Sequence, residues 1–202
     1  MISHTVEKIR GIYAITPDAP INLDRIKKII IQHDIGILQY RRKTASNATK
    51  LNEASQLRQL CLQHHTLFII NDDINLAQKV NADGVHLGKD DNSIATARTR
   101  LGADAIIGIS CYNDIDLAKS AQQQDASYVA FGALFNSDTK PNAPHCSLNI
   151  ITQAKQQLSI PIVGIGGVDF FNQQQALMAG CDAVAMINAL FDVNIHADIT
   201  TI

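Results

Sequence analysis

The chain has 202 residues, 46% of them apolar, with no Trp and only 5% aromatic, so any core must be aliphatic. Its 17 basic and 19 acidic residues leave a net charge of −2, which gives no reason to expect a nucleic-acid surface. Cys61, Cys111, Cys146 and Cys181 are widely separated and form no C-x-x-C pair, which argues against a disulfide framework or a zinc site and for reduced thiols.

The opening "MISHTVEKIR" has no apolar stretch of the secretory-signal kind, and no apolar run approaches the roughly 20 residues that cross a bilayer. The expectation is a soluble cytoplasmic protein. Its length fits one domain, with two small domains as the alternative.

The first β-rich run is GIYAIT (11–16). After it, NLDRIKKIIIQH places Leu23, Ile26, Ile30 and Ile31 on one helical stripe. ILQYRR (37–42) precedes NEASQLRQLCLQHH, where Leu57, Leu60 and Cys61 form the stripe and His64 and His65 face solvent. LFIIN (67–71), GVHLG (84–88), IIGIS (106–110) and YVAFG (128–132) follow. The segment 136–146, NSDTKPNAPHC, is longer than most βα loops, a length that goes with function. SLNIITQAKQQL then opens at Ser147, a good N-cap, before IPIVGIG (160–166) and AVAMI (183–187).

Eight such runs recur roughly 25 residues apart, the spacing of one strand plus one crossover helix. They share no sequence repeat. Strict alternation argues for a parallel sheet covered by helices, and the count of eight for closure into a single-domain (β/α)8 TIM barrel. A doubly wound open sheet is the rival, but no G-x-G-x-x-G opens the first helix.

Barrels of this kind carry their sites at the C-terminal strand ends. Asn71 and Asp72 end the third run, and Asp90 and Asp91 follow the fourth. Neighbouring strands lie roughly 4.8 Å apart, so Asp72 and one of Asp90 or Asp91 can share an ion, and two carboxylates with open positions suit Mg²⁺. The competing use of Asp72 or Asp73 is to cap the next helix.

In "QYRRK", alternation puts Gln39, Arg41 and Lys43 on one side and Tyr40 and Arg42 on the other. At the barrel mouth the first set makes an anion-donor cluster, the alternative being a solvated strand end that is basic by chance. "NSDTKP" adds Ser137, Thr139 and Lys140, and Ser110 ends the fifth run. "GIGGV" supplies Gly166 and Gly167, either to let backbone approach a phosphate or to make a turn with positive φ, and Ile187 and Asn188 end the eighth run. His86 reads as a buried, satisfied histidine, and nothing suggests a Ser-His-Asp triad or a nucleophilic Cys.

Together, "QYRRK", "IINDDINLAQKVNADGVHLGKDD", "GIS", "YVAFGALFNSDTKP", "IPIVGIGGV" and "AGCDAVAMI" resemble, in order and spacing, the thiamine phosphate synthase family from about residue 11 to about 190. The resemblance implies a (β/α)8 barrel and an Mg²⁺-dependent transferase. Its two small-molecule substrates would be 4-amino-5-hydroxymethyl-2-methylpyrimidine diphosphate and 4-methyl-5-(2-phosphooxyethyl)thiazole. It makes Asp72 and Asp91 the counterparts of the magnesium ligands. Gln39, Arg41, Lys43, Asn71, Ser110 and Lys140 then correspond to positions around the pyrimidine diphosphate, with Arg41, Lys43, Ser110 and Lys140 the catalytic set. Ser137, Thr139, Gly167, Ile187 and Asn188 correspond to positions around the thiazole phosphate.

Three positions depart from the family pattern: Ser137 replaces Thr and keeps its hydroxyl, Asn188 replaces Ser, and "SCYN" replaces a Ser-Thr-His run after the fifth strand. The rivals are a metal-free thiazole tautomerase-like isomerase and a non-catalytic phosphate-ligand-binding barrel. The sequence leaves assembly open, a homo-oligomer included.

Overall fold

The computed structural model describes residues 9–88, 93–136 and 146–192. Strand and helix alternate throughout: β1 (Gly11–Ile15), α1 (Leu23–Gln32), β2 (Ile37–Tyr40), α2 (Asn47–Gln63), β3 (Leu67–Asn71), α3 (Ile74–Lys79), β4 (Gly84–Leu87), α4 (Ile94–Leu101), β5 (Ile106–Tyr112), α5 (Ile115–Gln123), β6 (Tyr128–Phe131), α6 (Leu148–Gln157), β7 (Ile162–Ile165), α7 (Gln173–Ala179), β8 (Ala183–Met186) and α8 (Asn188–Phe191). Each strand pairs in parallel with the next, and β8 pairs with β1, so the sheet closes into a barrel. The open-sheet alternative is thereby excluded.

Two apolar layers result from strand alternation. Tyr13, Ile15, Ile37, Ile69, Ile106, Tyr128, Ala130, Val163, Ala183 and Ala185 point into the barrel. The intervening strand residues, such as Leu38, Ile70, Val129 and Val184, pack outward against the helices. Parallel strands buried on both faces read as continuous apolar runs, which is why they stand out in this sequence.

The helices start where the sequence offers caps. Side-chain oxygens of Asn22, Ser46, Asp73, Ser93 and Asp114 each accept a backbone N–H from the first turn. Ser147 occupies the N-cap of α6 without making that side-chain bond. On α1 the buried stripe is Ile26, Ile29 and Ile30, while Ile31 is 61% exposed. Residues three and four after Ile26 share its face, whereas the fifth has rotated off it. His64 and His65 follow the end of α2, His64 half-buried and His65 exposed.

At the strand starts, one polar device occurs twice. Asp83, just before β4, accepts from the Phe68 N–H at 2.7 Å and from Arg58 Nη1 on α2 at 2.8 Å. Asp182, just before β8, accepts from the Ile162 N–H at 2.8 Å and from Lys155 Nζ on α6 at 2.6 Å. Helix cation, strand acid and neighbouring strand N–H recur half a barrel apart, fastening both halves at the end opposite the mouth.

Candidate active site

The mouth is built where β1 to β5 end. Thr16 holds the ends of β1 and β2 together: its Oγ1 accepts from the Arg41 N–H at 2.9 Å, and its own N–H donates to the Gln39 carbonyl at 2.9 Å. The outward residues of "QYRRK" are used structurally. Tyr40 donates to Glu53 Oε2 at 2.6 Å, and Arg42 Nη1 pairs with Asp18 at 3.0 Å. Of the alternate set, Gln39 is buried inside the barrel and Lys43 reaches Asp72.

The two adjacent acids after β3 divide their work. Asp73 is the α3 N-cap and accepts from the Leu76 N–H at 2.9 Å. Asp72 has φ +63, a left-handed conformation uncommon outside Gly, Asn and Asp, and its N–H still donates to the His86 carbonyl at 2.9 Å. Its carboxylate meets Lys43 Nζ at 3.3 Å, with the Asp72 side chain 31% exposed. The capping use of "DD" therefore falls to Asp73. Lys43, Asn71 and Asp72 line one cavity of about 270 Å³ together with the outward-facing Tyr40, Arg42 and Ile70, and Asp72 also lines a second, of about 430 Å³, with Thr96 and Arg100.

Within the barrel, Gln39 is only 3% exposed. Its amide Nε2 donates to the Tyr13 hydroxyl at 2.8 Å, and the Tyr13 and Tyr128 hydroxyls are 2.8 Å apart. His86 lies between Tyr128, 2.9 Å from Nδ1, and Ser110, 2.8 Å from Nε2. His86 is the satisfied histidine the sequence suggests, but its partners tie two predicted substrate positions, Gln39 and Ser110, into one chain. Burial keeps both phenols protonated, raising them well above the ordinary tyrosine value.

β5 runs on to Tyr112 with a bulge between Ser110 and Tyr112, which keeps the hydroxyl on His86.

Gly166 and Gly167 have φ of +94 and +65. A Cβ on Gly167 would lie 2.3 Å from the Asn136 carbonyl oxygen, so the close approach here is between the loops after β6 and β7. Asn172 Nδ2 donates to the Gly167 carbonyl at 2.8 Å and fixes that turn. Ile187 is the N-cap of the four-residue α8, which Asn188 begins. Lys140, Ser137, Thr139, Asp90 and Asp91 lie outside the described residues.

The four cysteines are buried, and burial pushes their thiols up, to about 12 for Cys61, Cys111 and Cys181 and about 11 for Cys146, which disfavours the reactive thiolate. Among the described residues no three His, Cys, Asp or Glu cluster as a metal cage. Asp72 nevertheless fits a hydrated divalent ion: it is partly open, already attracts an ammonium, and Mg²⁺ needs only one or two carboxylates beside phosphate and water.

The sequence pointed to most of these residues but not to Tyr13 and Tyr128. Their inward register in "GIYAIT" and "YVAFG" was readable, but in a barrel lining it reads equally as core.

Fold and mouth define a (β/α)8 barrel of the class that takes its ligands at the C-terminal strand ends. The chain matches the family model for Thiamine monophosphate synthase over residues 12–190, and it belongs to that family. It is 44% identical over 193 residues to the Thiamine-phosphate synthase of Thioalkalivibrio sulfidiphilus, covering 94% of this chain and 92% of that one. The corresponding protein of Methylobacillus flagellatus is 47% identical over 193 residues, covering 95% and 92%. The solved structure of thiamine phosphate pyrophosphorylase from Pyrococcus furiosus superposes with a TM-score of 0.83 at 28% identity, covering 94% of this chain and 91% of that one.

Proposed function

We propose that this protein is a cytoplasmic transferase that joins 4-amino-5-hydroxymethyl-2-methylpyrimidine diphosphate to 4-methyl-5-(2-phosphooxyethyl)thiazole, releasing diphosphate and thiamine phosphate. The observation that carries the reading is the Lys43–Asp72 pair at 3.3 Å on adjacent strand ends, an anion donor and a cation ligand side by side. The family relationship supports reading diphosphate as their common ligand. Among the described residues no helix is long and apolar enough to cross a membrane.

The C–O bond to diphosphate breaks first and its electron pair leaves with the diphosphate. The aminopyrimidine delocalises the positive charge on its CH₂. The thiazole nitrogen then donates its lone pair to form the C–N bond. No proton needs to move at the reacting carbon, so the protein's task is to stabilise charge building on the leaving group. Arg41, Lys43 and Lys140 serve that role, and Asn71 and Ser110 orient the substrate. Asp72 and Asp91 are the residues that would hold Mg²⁺, which would supply charge neutralisation on the diphosphate. Ser137, Thr139, Gly167, Ile187 and Asn188 hold the thiazole phosphate. The aliphatic lining, with Ile15, Ile69, Ala130 and Ile165, keeps water from trapping the cation.

A diphosphate-release assay with both substrates, titrated with Mg²⁺, tests this. Release that requires both substrates and the metal is expected. No release under any condition, or isomerisation of a thiazole carboxylate phosphate without metal, contradicts it. Lys140→Ala should slow single-turnover diphosphate release roughly a hundred-fold, about the loss of one charged transition-state contact; an unchanged rate removes Lys140 from the mechanism.

A further inference from the structure

The two chain neighbours of Lys43 are both tied to the loop after β1. Arg42 Nη1 donates to Asp18 Oδ1 at 3.0 Å and to the Thr44 hydroxyl at 3.0 Å, and that hydroxyl donates to the same Asp18 oxygen at 3.0 Å. Three polar atoms thus close a ring, one on each side of Lys43 and the third on Asp18. The Thr44 N–H adds a bond to Asp18 Oδ1 at 3.3 Å. Arg42 Nε also faces Glu53 Oε2 of α2 at 3.6 Å, the oxygen that accepts from the Tyr40 hydroxyl. The Arg42 and Asp18 side chains are 12% and 24% exposed, so water screens this pair less than an open surface pair.

Lys43 itself is different. Its side chain is 55% exposed, and its ammonium stands 3.3 Å from Asp72 on the next strand end. A flexible four-carbon stem leaves such an ammonium many positions. Its reach is then set by where its Cα stands, and the residues on either side set that. The ring also commits the Arg42 charge to Asp18 and Glu53, although Arg42 lines the same cavity as Lys43.

Resting on the function proposed above, we propose that Asp18, Arg42 and Thr44 are positioning residues: their ring fixes the backbone on both sides of Lys43 and so sets the reach of its ammonium toward diphosphate. None of the three needs to touch the substrate. A misplacement of about 1 Å at the reacting groups can cost on the order of a hundred-fold in rate, so a brace beside the site controls what the site can do.

Two measurements test this. Both use Asp18 and Thr44, because Arg42→Met would also leave Glu53 buried without its cation. The first is calorimetric titration with inorganic diphosphate and Mg²⁺ in wild type, Asp18→Ala, Lys43→Met and the double variant. Asp18→Ala should weaken diphosphate about ten-fold, a loss of the size seen when the partner orienting a ligand-holding group is removed. In the Lys43→Met background the same change should cost less than about two-fold, because its effect runs through Lys43. The cycle cancels the loss of one negative charge, which acts alike in both backgrounds. Equal weakening in both backgrounds, or none in either, overturns the proposal. The second is amide hydrogen exchange on the free protein. Thr44→Val removes the ring's hydroxyl but leaves the Asp18 oxygen that accepts from the backbone. Exchange at residues 42–44 should still quicken about ten-fold or more, with β3 and β4 unchanged. Unaltered exchange at 42–44 overturns the brace, whatever reaction the protein performs. Wild-type protein that binds no diphosphate sinks the functional reading instead, and exchange alone then decides the brace.

Discussion

Two neighbouring aspartates with the same chemistry have different fates because of one dihedral angle. Asp73, extended and next to α3, spends its carboxylate on the helix N-terminus; Asp72, at φ +63, turns its carboxylate to Lys43. "LFIINDD" announces that an apolar strand stops at acids, but it does not announce which acid caps, because backbone conformation decides that. Asp73→Ala should therefore cost about 1 kcal/mol of stability through loss of the cap, seen as a lower urea midpoint. Asp72→Ala should keep the fold, judged by circular dichroism, and lose Mg²⁺-dependent diphosphate release by a hundred-fold or more. Full activity in that variant refutes the metal assignment. The tyrosines show the opposite limit of legibility. Tyr13 and Tyr128 are 115 residues apart and bond only because the sheet closes. The thiols follow from burial alone. A disulfide-exchange reagent at pH 8 should find no fast-reacting cysteine in the native protein and four after denaturation. A rapidly labelled native thiol contradicts the buried placement.

At the scale of the element, the eight strands stand within a residue or two of the apolar runs, since a strand covered on both faces leaves a continuous signature. Helix faces are less legible. The α1 stripe includes Ile29 and excludes Ile31, a distinction an isoleucine-rich segment conceals. Glycines are similarly ambiguous: Gly166 and Gly167 read either as a phosphate loop or as a turn with positive φ, and the structure shows the positive φ and close contacts with the neighbouring loop. Gly84 makes a sharper case. A Cβ there would lie 1.8 Å from the Ile106 carbonyl oxygen, backbone that cannot step aside, so Gly84→Ala should part β4 from β5 and leave little folded protein. The paired acids at the strand starts give a graded prediction. Asp83→Ala and Asp182→Ala each strand a backbone N–H and a cation, costing about 1–3 kcal/mol in urea unfolding. The Asp83 variant should suffer more, because Arg58 and Asp83 are 14% and 26% exposed against 44% and 32% for Lys155 and Asp182.

For the whole molecule, closure turns scattered strand ends into one mouth. Lys43, three residues after β2, and Asp72, just after β3, are brought together because those strands are neighbours. Gln39 and Ser110 are joined across the barrel interior, a link that depends on side-chain lengths and on the space over Gly108. The central claim is that this mouth holds a divalent ion against a departing diphosphate. Its most direct test is a crystal grown with diphosphate and Mn²⁺ in place of Mg²⁺, read by anomalous scattering. The account predicts a peak within coordination distance of carboxylate oxygens from both Asp72 and Asp91 and of the diphosphate. Bound diphosphate with no peak near either aspartate, and Lys43 still on Asp72, would contradict it.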